Sequence, residues 1–129
     1  MIIVLPVPPS VNELYSPNKN GGRRKSDKYL TWLEQAGKWF LTVKRSTIPV
    51  HGKYTFVMRV PARMKGDVDN MAKAALDFLV KMGLTDDDRH CVSATVKRDR
   101  LLTAVAEIEV NPATKGTENE EAITGDSVS

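Results

Sequence analysis

The chain has a single cysteine, Cys91, and one thiol closes no disulfide within a chain. That excludes a disulfide-stapled scaffold and points to a reducing compartment. Cys91, in His90-Cys91-Val92 at the head of an apolar segment, reads as a small buried hydrophobe. Long apolar runs are missing as well, and none approaches the ~18 residues that cross a bilayer. The opening Met1-Ile2-Ile3-Val4-Leu5-Pro6-Val7-Pro8-Pro9 is too short, too rich in proline and too poor in basic residues for a signal peptide. We therefore expect a soluble, cytoplasmic protein with no membrane partner. No Walker glycine loop, Cys-x-x-Cys pair or His-Glu-x-x-His motif occurs, so the commonest nucleotide, redox and zinc-protease signatures are absent.

What is present suits one domain around one core: 129 residues, of which 41% are hydrophobic. Nineteen Lys and Arg against 16 Asp and Glu give a net charge of +3, unevenly spread. Residues 111–129 hold one base (Lys115) and four acids (Glu118, Glu120, Glu121, Asp126), which leaves +6 on residues 1–110. A basic body suits a polyanionic partner. The stretch after Pro112 is polar, acidic and without periodicity, and we expect a disordered tail over 112–129 beyond a domain of 1–111.

Along the chain, Ile2–Leu5 is a β-prone run stopped by Pro6, Pro8 and Pro9. Residues 16–25 are polar, glycine-containing and basic, and read as a mobile loop. Tyr29, Trp32, Leu33, Ala36, Phe40 and Val43 follow helical spacing over about 27–45, with Ser26 as N-cap. Tyr54–Val60 is β-prone. A second helix starts near Asp67 or Asp69, carries a stripe of Met71, Ala75, Phe78, Leu79 and Met82, and ends before Gly83. Cys91–Lys97 and Leu101–Val110, separated by Arg98-Asp99-Arg100, look like a hairpin. The order β-α-β-α-β-β predicts a two-layer α+β domain, two helices packed on one small mixed sheet.

The chemistry concentrates in Gly66-Asp67-Val68-Asp69-Asn70-Met71-Ala72-Lys73. Two carboxylates one residue apart repel unless a positive group lies between them. Asp69, Lys73, Asp77 and Lys81 fall at i, i+4 spacings, which a solvated stripe of weak ion pairs would explain at about 0.2–0.5 kcal/mol each. Asp67 is equally readable as an N-cap and Asp69 as a first-turn acid. Against that bland account stand three features. Acids at a helix start face its positive dipole end. Asp86-Asp87-Asp88 supplies more carboxylate where the next strand begins. The neighbourhood is basic (Arg59, Arg63, Lys65, Lys97, Arg98, Arg100). Carboxylates under a hard cation, amid lysines and arginines, are the composition of a magnesium-dependent phosphodiesterase. A calcium loop starting at Asp67 would need Gly at its sixth position and Glu at its twelfth, where Ala72 and Phe78 stand. An aspartyl-phosphatase nucleophile would end a hydrophobic strand, whereas Met64-Lys65-Gly66 precedes this pair. His90 is a candidate ligand or base, and His51 carries no signal.

These residues resemble the RusA family of Holliday-junction resolvases. The matching pieces are Pro6-Val7-Pro8-Pro9-Ser10-Val11-Asn12 with Tyr15, Asp67-Val68-Asp69-Asn70 with Lys73, Asp77, Gly83-Leu84-Thr85-Asp86-Asp87-Asp88, and Lys97, over about residues 1–110. The resemblance implies a mixed α/β fold and an endodeoxyribonuclease that cuts four-way DNA junctions. It further implies dependence on Mg2+, with Mn2+ as a substitute, and a homodimer with paired sites, often encoded by phages or prophages. It carries the catalytic and metal-binding carboxylates to Asp67, Asp69 and Asp88 and the catalytic lysine to Lys73. Asp87 lies beside the third acid, and three aspartates in a row leave the choice between Asp87 and Asp88 open. Gly66 stands where relatives can carry a basic residue, which weakens one phosphate contact that the resemblance implies and leaves the core site intact. Asn12, Lys19, Arg23, Arg24, Lys25 and Lys97 are the expected DNA-binding residues. Trp32 and Trp39 are expected in core or dimer packing. Two alternatives stay open: a DNA-binding module without catalysis, and a nuclease for other branched DNA.

Overall fold

The structure, a computed structural model, describes residues 1–113. It holds six strands, β1 (Ile2–Pro6), β2 (Tyr15–Pro17), β3 (Arg23–Lys25), β4 (Tyr54–Pro61), β5 (Cys91–Asp99) and β6 (Val105–Pro112), and two α-helices, α1 (Asp27–Val43) and α2 (Ala72–Lys81). In β4, Tyr54, Phe56, Met58 and Val60 are fully buried, while Thr55, Val57 and Arg59 between them are half-buried. β6 alternates in the same way around Ala106, Ile108 and Val110. Period-2 burial of this kind gives a sheet one covered face, and the helices cover it. The result is the expected two-layer α+β domain.

The strand order is β1-β6-β4-β5, with β4 parallel to β5 and antiparallel to β6, and β6 antiparallel to β1. The expected β5–β6 hairpin is therefore incorrect, because β4 lies between the two strands. β4 is the strand with most side chains to bury, so it takes a neighbour on each side. The more exposed β5 is left at the edge. Residues 100–104 pass over the end of β4, where the Ala62 N–H donates to Asp99 O (3.2 Å) and Arg63 Nη2 to Thr103 O (2.8 Å).

Ser26 caps α1 as expected, its Oγ accepting from the Tyr29 N–H at 3.1 Å. Tyr29, Trp32, Ala36 and Phe40 go to the core, Leu33 packs at its margin, and Val43 is exposed. The second helix begins later than expected. Val68–Met71 is a 3₁₀ turn capped by Asp67, and the α-helix proper starts at Ala72. It buries Ala74, Ala75, Phe78 and Leu79. It ends at Gly83, whose φ of +74° suits glycine, with the Leu84 N–H donating back to Leu79 O at 2.9 Å. The stretch 16–25 is a two-stranded ribbon rather than a loop: β2 and β3 pair Tyr15 with Lys25 and Pro17 with Arg23. The expected tail lies outside the described residues from 114 onward, and Pro112 itself closes β6.

Phe78 joins the two helices within the core. Its ring meets Trp32 edge-on at 5.6 Å and Phe40 at 6.3 Å between centroids. Phe78→Ala is expected to cost about 3–5 kcal/mol of unfolding free energy. Urea denaturation checks this, and a destabilisation below about 1 kcal/mol would show that the helices do not depend on this packing.

Candidate active site

After Pro61 the chain turns back through residues 62–67, and β5 holds that turn in place. Arg98 Nη2 donates to Gly66 O at 2.7 Å and its Nε to Met64 O at 3.3 Å. Gly66 takes a φ of +85°, which a side chain would resist. Asp67 follows, exposed, and its Oδ1 accepts the Asp69 N–H at 3.1 Å. Asp69, also exposed, has no side-chain partner among the described residues. The expected stripe of ion pairs thus breaks at its first member. Lys73 turns the other way, with Nζ at 3.1 Å from Asp77 Oδ1 and 3.8 Å from Asp88 Oδ2. The Asp77 hydrogen bond, then the charges of Asp77 and Asp88, push the Lys73 pKa up and hold it protonated.

The three consecutive aspartates do three different jobs. Asp86 accepts from the Gly52 N–H (2.9 Å) and pairs with His51 Nδ1 (2.8 Å), which ties down the turn before β4. His51, silent in the sequence, acquires a structural role from that pairing. Asp87 is saturated by Arg89, accepting from its N–H at 2.9 Å, Nε at 3.1 Å and Nη2 at 2.9 Å. Those bonds hold its carboxyl well below the usual carboxylate range. Asp88 alone faces Lys73. Nearby, His90 Nδ1 is buried without a hydrogen-bond partner among the described residues. Cys91 is half-buried rather than buried, its Sγ 3.4 Å from Ser93 O.

The basic surroundings are less uniform than the sequence suggests. Arg59 is tied to Glu107 (3.2 Å) and Glu109 (3.1 Å), and Arg63 and Arg98 are spent on carbonyls. Lys65, Lys97 and Arg100 have no side-chain partner among the described residues. Lys97 is the register partner of Arg59 and shares the sheet face turned away from the helices. Lys19, Arg23, Arg24 and Lys25 stand exposed on the ribbon and its tip. Asn12 lies in a short 3₁₀ turn, Val11–Glu13, on the wall of a cleft of about 780 Å³ that also includes Asp67. Trp32, largely buried, lines this cleft, its Nε1–H donating to Pro6 O at 2.8 Å, whereas Trp39 is 41% exposed.

Over residues 6–111 the chain matches the family model described as endodeoxyribonuclease RusA. It belongs to the RusA family. The protein is accordingly an endodeoxyribonuclease, and RusA enzymes act as Holliday-junction nucleases on branched DNA with divalent metal ions. No curated protein matches the chain. Among the described residues no helix is long and apolar enough to cross a membrane. The donors that the RusA resemblance assigns, Asp67, Asp69 and Asp88, are hard carboxylate oxygens and fit a hard cation in kind. They are not gathered into a cage: among the described residues no group of three or more His, Cys, Asp and Glu is placed to hold a metal ion.

The cleft wall depends on one carboxylate. Glu13 Oε1 accepts from the Ser10 N–H and Oγ, each at 3.2 Å, and Oε2 pairs with Lys28 Nζ. The Lys28 bond, then the Ser10 N–H, lowers the Glu13 pKa from its ordinary 4.5. A lowered carboxyl pKa stabilises the fold above the ordinary value, and that stability disappears as pH falls through the folded pKa. Glu13→Gln should therefore melt below wild type at about pH 6, with the gap narrowing as pH falls below the ordinary carboxyl value of 4.5. A gap that persists unchanged in acid would assign the effect to packing.

Proposed function

We propose that the protein is a homodimeric, Mg2+-dependent resolvase of four-way DNA junctions, acting in the cytoplasm, with Asp67, Asp69, Asp88 and Lys73 as its catalytic residues. One placement carries this reading: Asp67 and Asp69 stand at the head of α2, and Lys73, from its first turn, reaches to 3.8 Å from Asp88. Asp67, Asp69 and Asp88 would hold the cation. When bound, such an ion supplies Lewis acidity to the phosphodiester and a more acidic water. Lys73, kept protonated by Asp77, presents positive charge where negative charge develops on phosphorus-bound oxygen. Asp88 is favoured over Asp87 as the third acid, because the Asp87 oxygens are already engaged by Arg89.

A two-fold assembly would pair two such sites for two strands. Support comes from edge strand β1, where Ile2 (62% exposed) and Val4 border an apolar groove with Trp39 and Val43. Lys19, Arg23, Arg24 and Lys25, projecting on the ribbon, suit the sugar-phosphate backbone.

Asp69→Asn keeps the side chain's size and removes one negative charge. It is expected to abolish Mg2+-dependent junction cleavage, to leave junction binding in EDTA equal or tighter, and to keep the fold. A structural acid would show the reverse, with a small drop in stability and near-normal cutting. A folded Asp69→Asn protein that cuts junctions at wild-type rate would remove Asp69 from the chemistry.

Replacing Arg23, Arg24 and Lys25 together with Ala should weaken junction binding and flatten its salt dependence, by up to ~0.9 log unit of slope for each phosphate that is no longer neutralised. An unchanged slope in a binding titration would take the ribbon out of the DNA interface.

A further inference from the structure

We propose that the cleft beside Asp67 is a nucleoside pocket, which receives one unstacked nucleotide next to the scissile phosphate and sets the base preference of the cut. The proposal rests on the nuclease reading above. At about 780 Å³ the cleft has room for a nucleotide, and it lies within the size range of small-molecule sites. Part of its lining is apolar and fixed: Pro8, Pro9, Met71 and Trp32 are buried, and Trp32 is pinned by its bond to Pro6 O. The proline-rich motif near the start of the chain thereby acquires a task, since it forms one wall.

The lining also carries three side-chain amides, Asn12, Gln35 and Asn70, from three separate segments. None of them has a side-chain hydrogen bond to another described residue. Each offers both a donor and an acceptor, the combination that pairs with base edges. Charge argues for the base rather than the phosphate as the occupant. Glu13, Asp27 and Asp67 line the cleft, and Lys28 is already engaged by Glu13. A neutral ring is tolerated there and a phosphate is repelled, while unpaired Lys65 on the lining can meet the phosphate at the mouth. Asp67 belongs to the same wall, so an occupant lies against a residue proposed for the chemistry. A base inside a continuous duplex cannot enter such a pocket, but a branch point interrupts the stack and lowers the cost of extruding a nucleotide.

The test uses the full chain and immobile four-way junctions carrying 2-aminopurine at successive positions around the branch, in EDTA so that nothing is cut. Binding is expected to raise fluorescence at one position, the signature of unstacking. Thr31→Trp, on the exposed side of α1 within the cleft lining, should fill the space and suppress that rise while anisotropy still reports junction binding. Gln35→Ala should lower the ratio of favoured to disfavoured cut sites by about tenfold on junctions with randomised branch bases, the discrimination expected of one bidentate base pairing. Junction binding with no fluorescence rise at any position would overturn the pocket and leave the nuclease reading standing. A rise in Thr31→Trp equal to wild type, or an unchanged cut-site ratio in Gln35→Ala, would overturn it too. Absence of both junction binding and cleavage in the wild type would overturn both readings.

Discussion

Parallel pairing of β4 with β5 fixes where the chemistry-bearing residues stand. A strand that leaves the sheet at Pro61 and re-enters at Cys91 in the same direction needs a crossover, and parallel neighbours do not tolerate a short turn. Residues 62–90 are that crossover, with α2 as its return leg. Asp67 and Asp69 lie at its head and Asp86, Asp87 and Asp88 at its foot, so both acidic groups are consequences of one topological demand. Ten residues of helix span about 15 Å. The chain then returns beside the helix, so that Lys73, in its first turn, reaches both Asp77 one turn along (3.1 Å) and Asp88 at the foot of the crossover (3.8 Å).

The same crossover sorts the cations into two populations. Arg59 is neutralised by two glutamates on the open face of the sheet, and Arg98 and Arg63 are committed to carbonyl oxygens that hold the turns around the end of β4. These arginines fix geometry. Among the described residues the cations without side-chain partners include Lys65, Lys97, Arg100 and those of the ribbon, and only such groups can exchange counterions for phosphates without breaking an internal bond. A sequence-level count of basic residues treats both populations alike and overstates the charge that faces DNA.

What the sequence reveals divides along the same line. Ser26 as a cap, Gly83 as a helix terminator and the β-prone run Tyr54–Val60 are local signals, and each corresponds to a feature of the structure. The neighbours of a strand are not local. Nothing within 91–110 announces that β4 will insert between β5 and β6, because that choice depends on how much apolar surface β4 must bury on both sides. The aspartate cluster shows the limit most plainly: three identical side chains in succession are indistinguishable in sequence, yet Asp86 serves His51, Asp87 serves Arg89 and Asp88 faces Lys73. The cleft is equally hidden, since its lining comes from 7–13, 27–35 and 64–71.

The late start of α2 explains the state of Asp69. Had the α-helix begun at Asp67, Asp69 and Lys73 would occupy consecutive turns of one face and would form an i, i+4 pair of about 0.3–0.5 kcal/mol. The 3₁₀ turn over Val68–Met71 winds at three residues per turn rather than 3.6 and rotates Asp69 away from that face. Lys73 then pairs down the helix with Asp77, and Asp69 keeps an exposed carboxylate that no described side chain shares. An acid on a fixed turn, next to an engaged lysine, has nothing to contribute to folding through pairing. It is available to a partner from outside the chain.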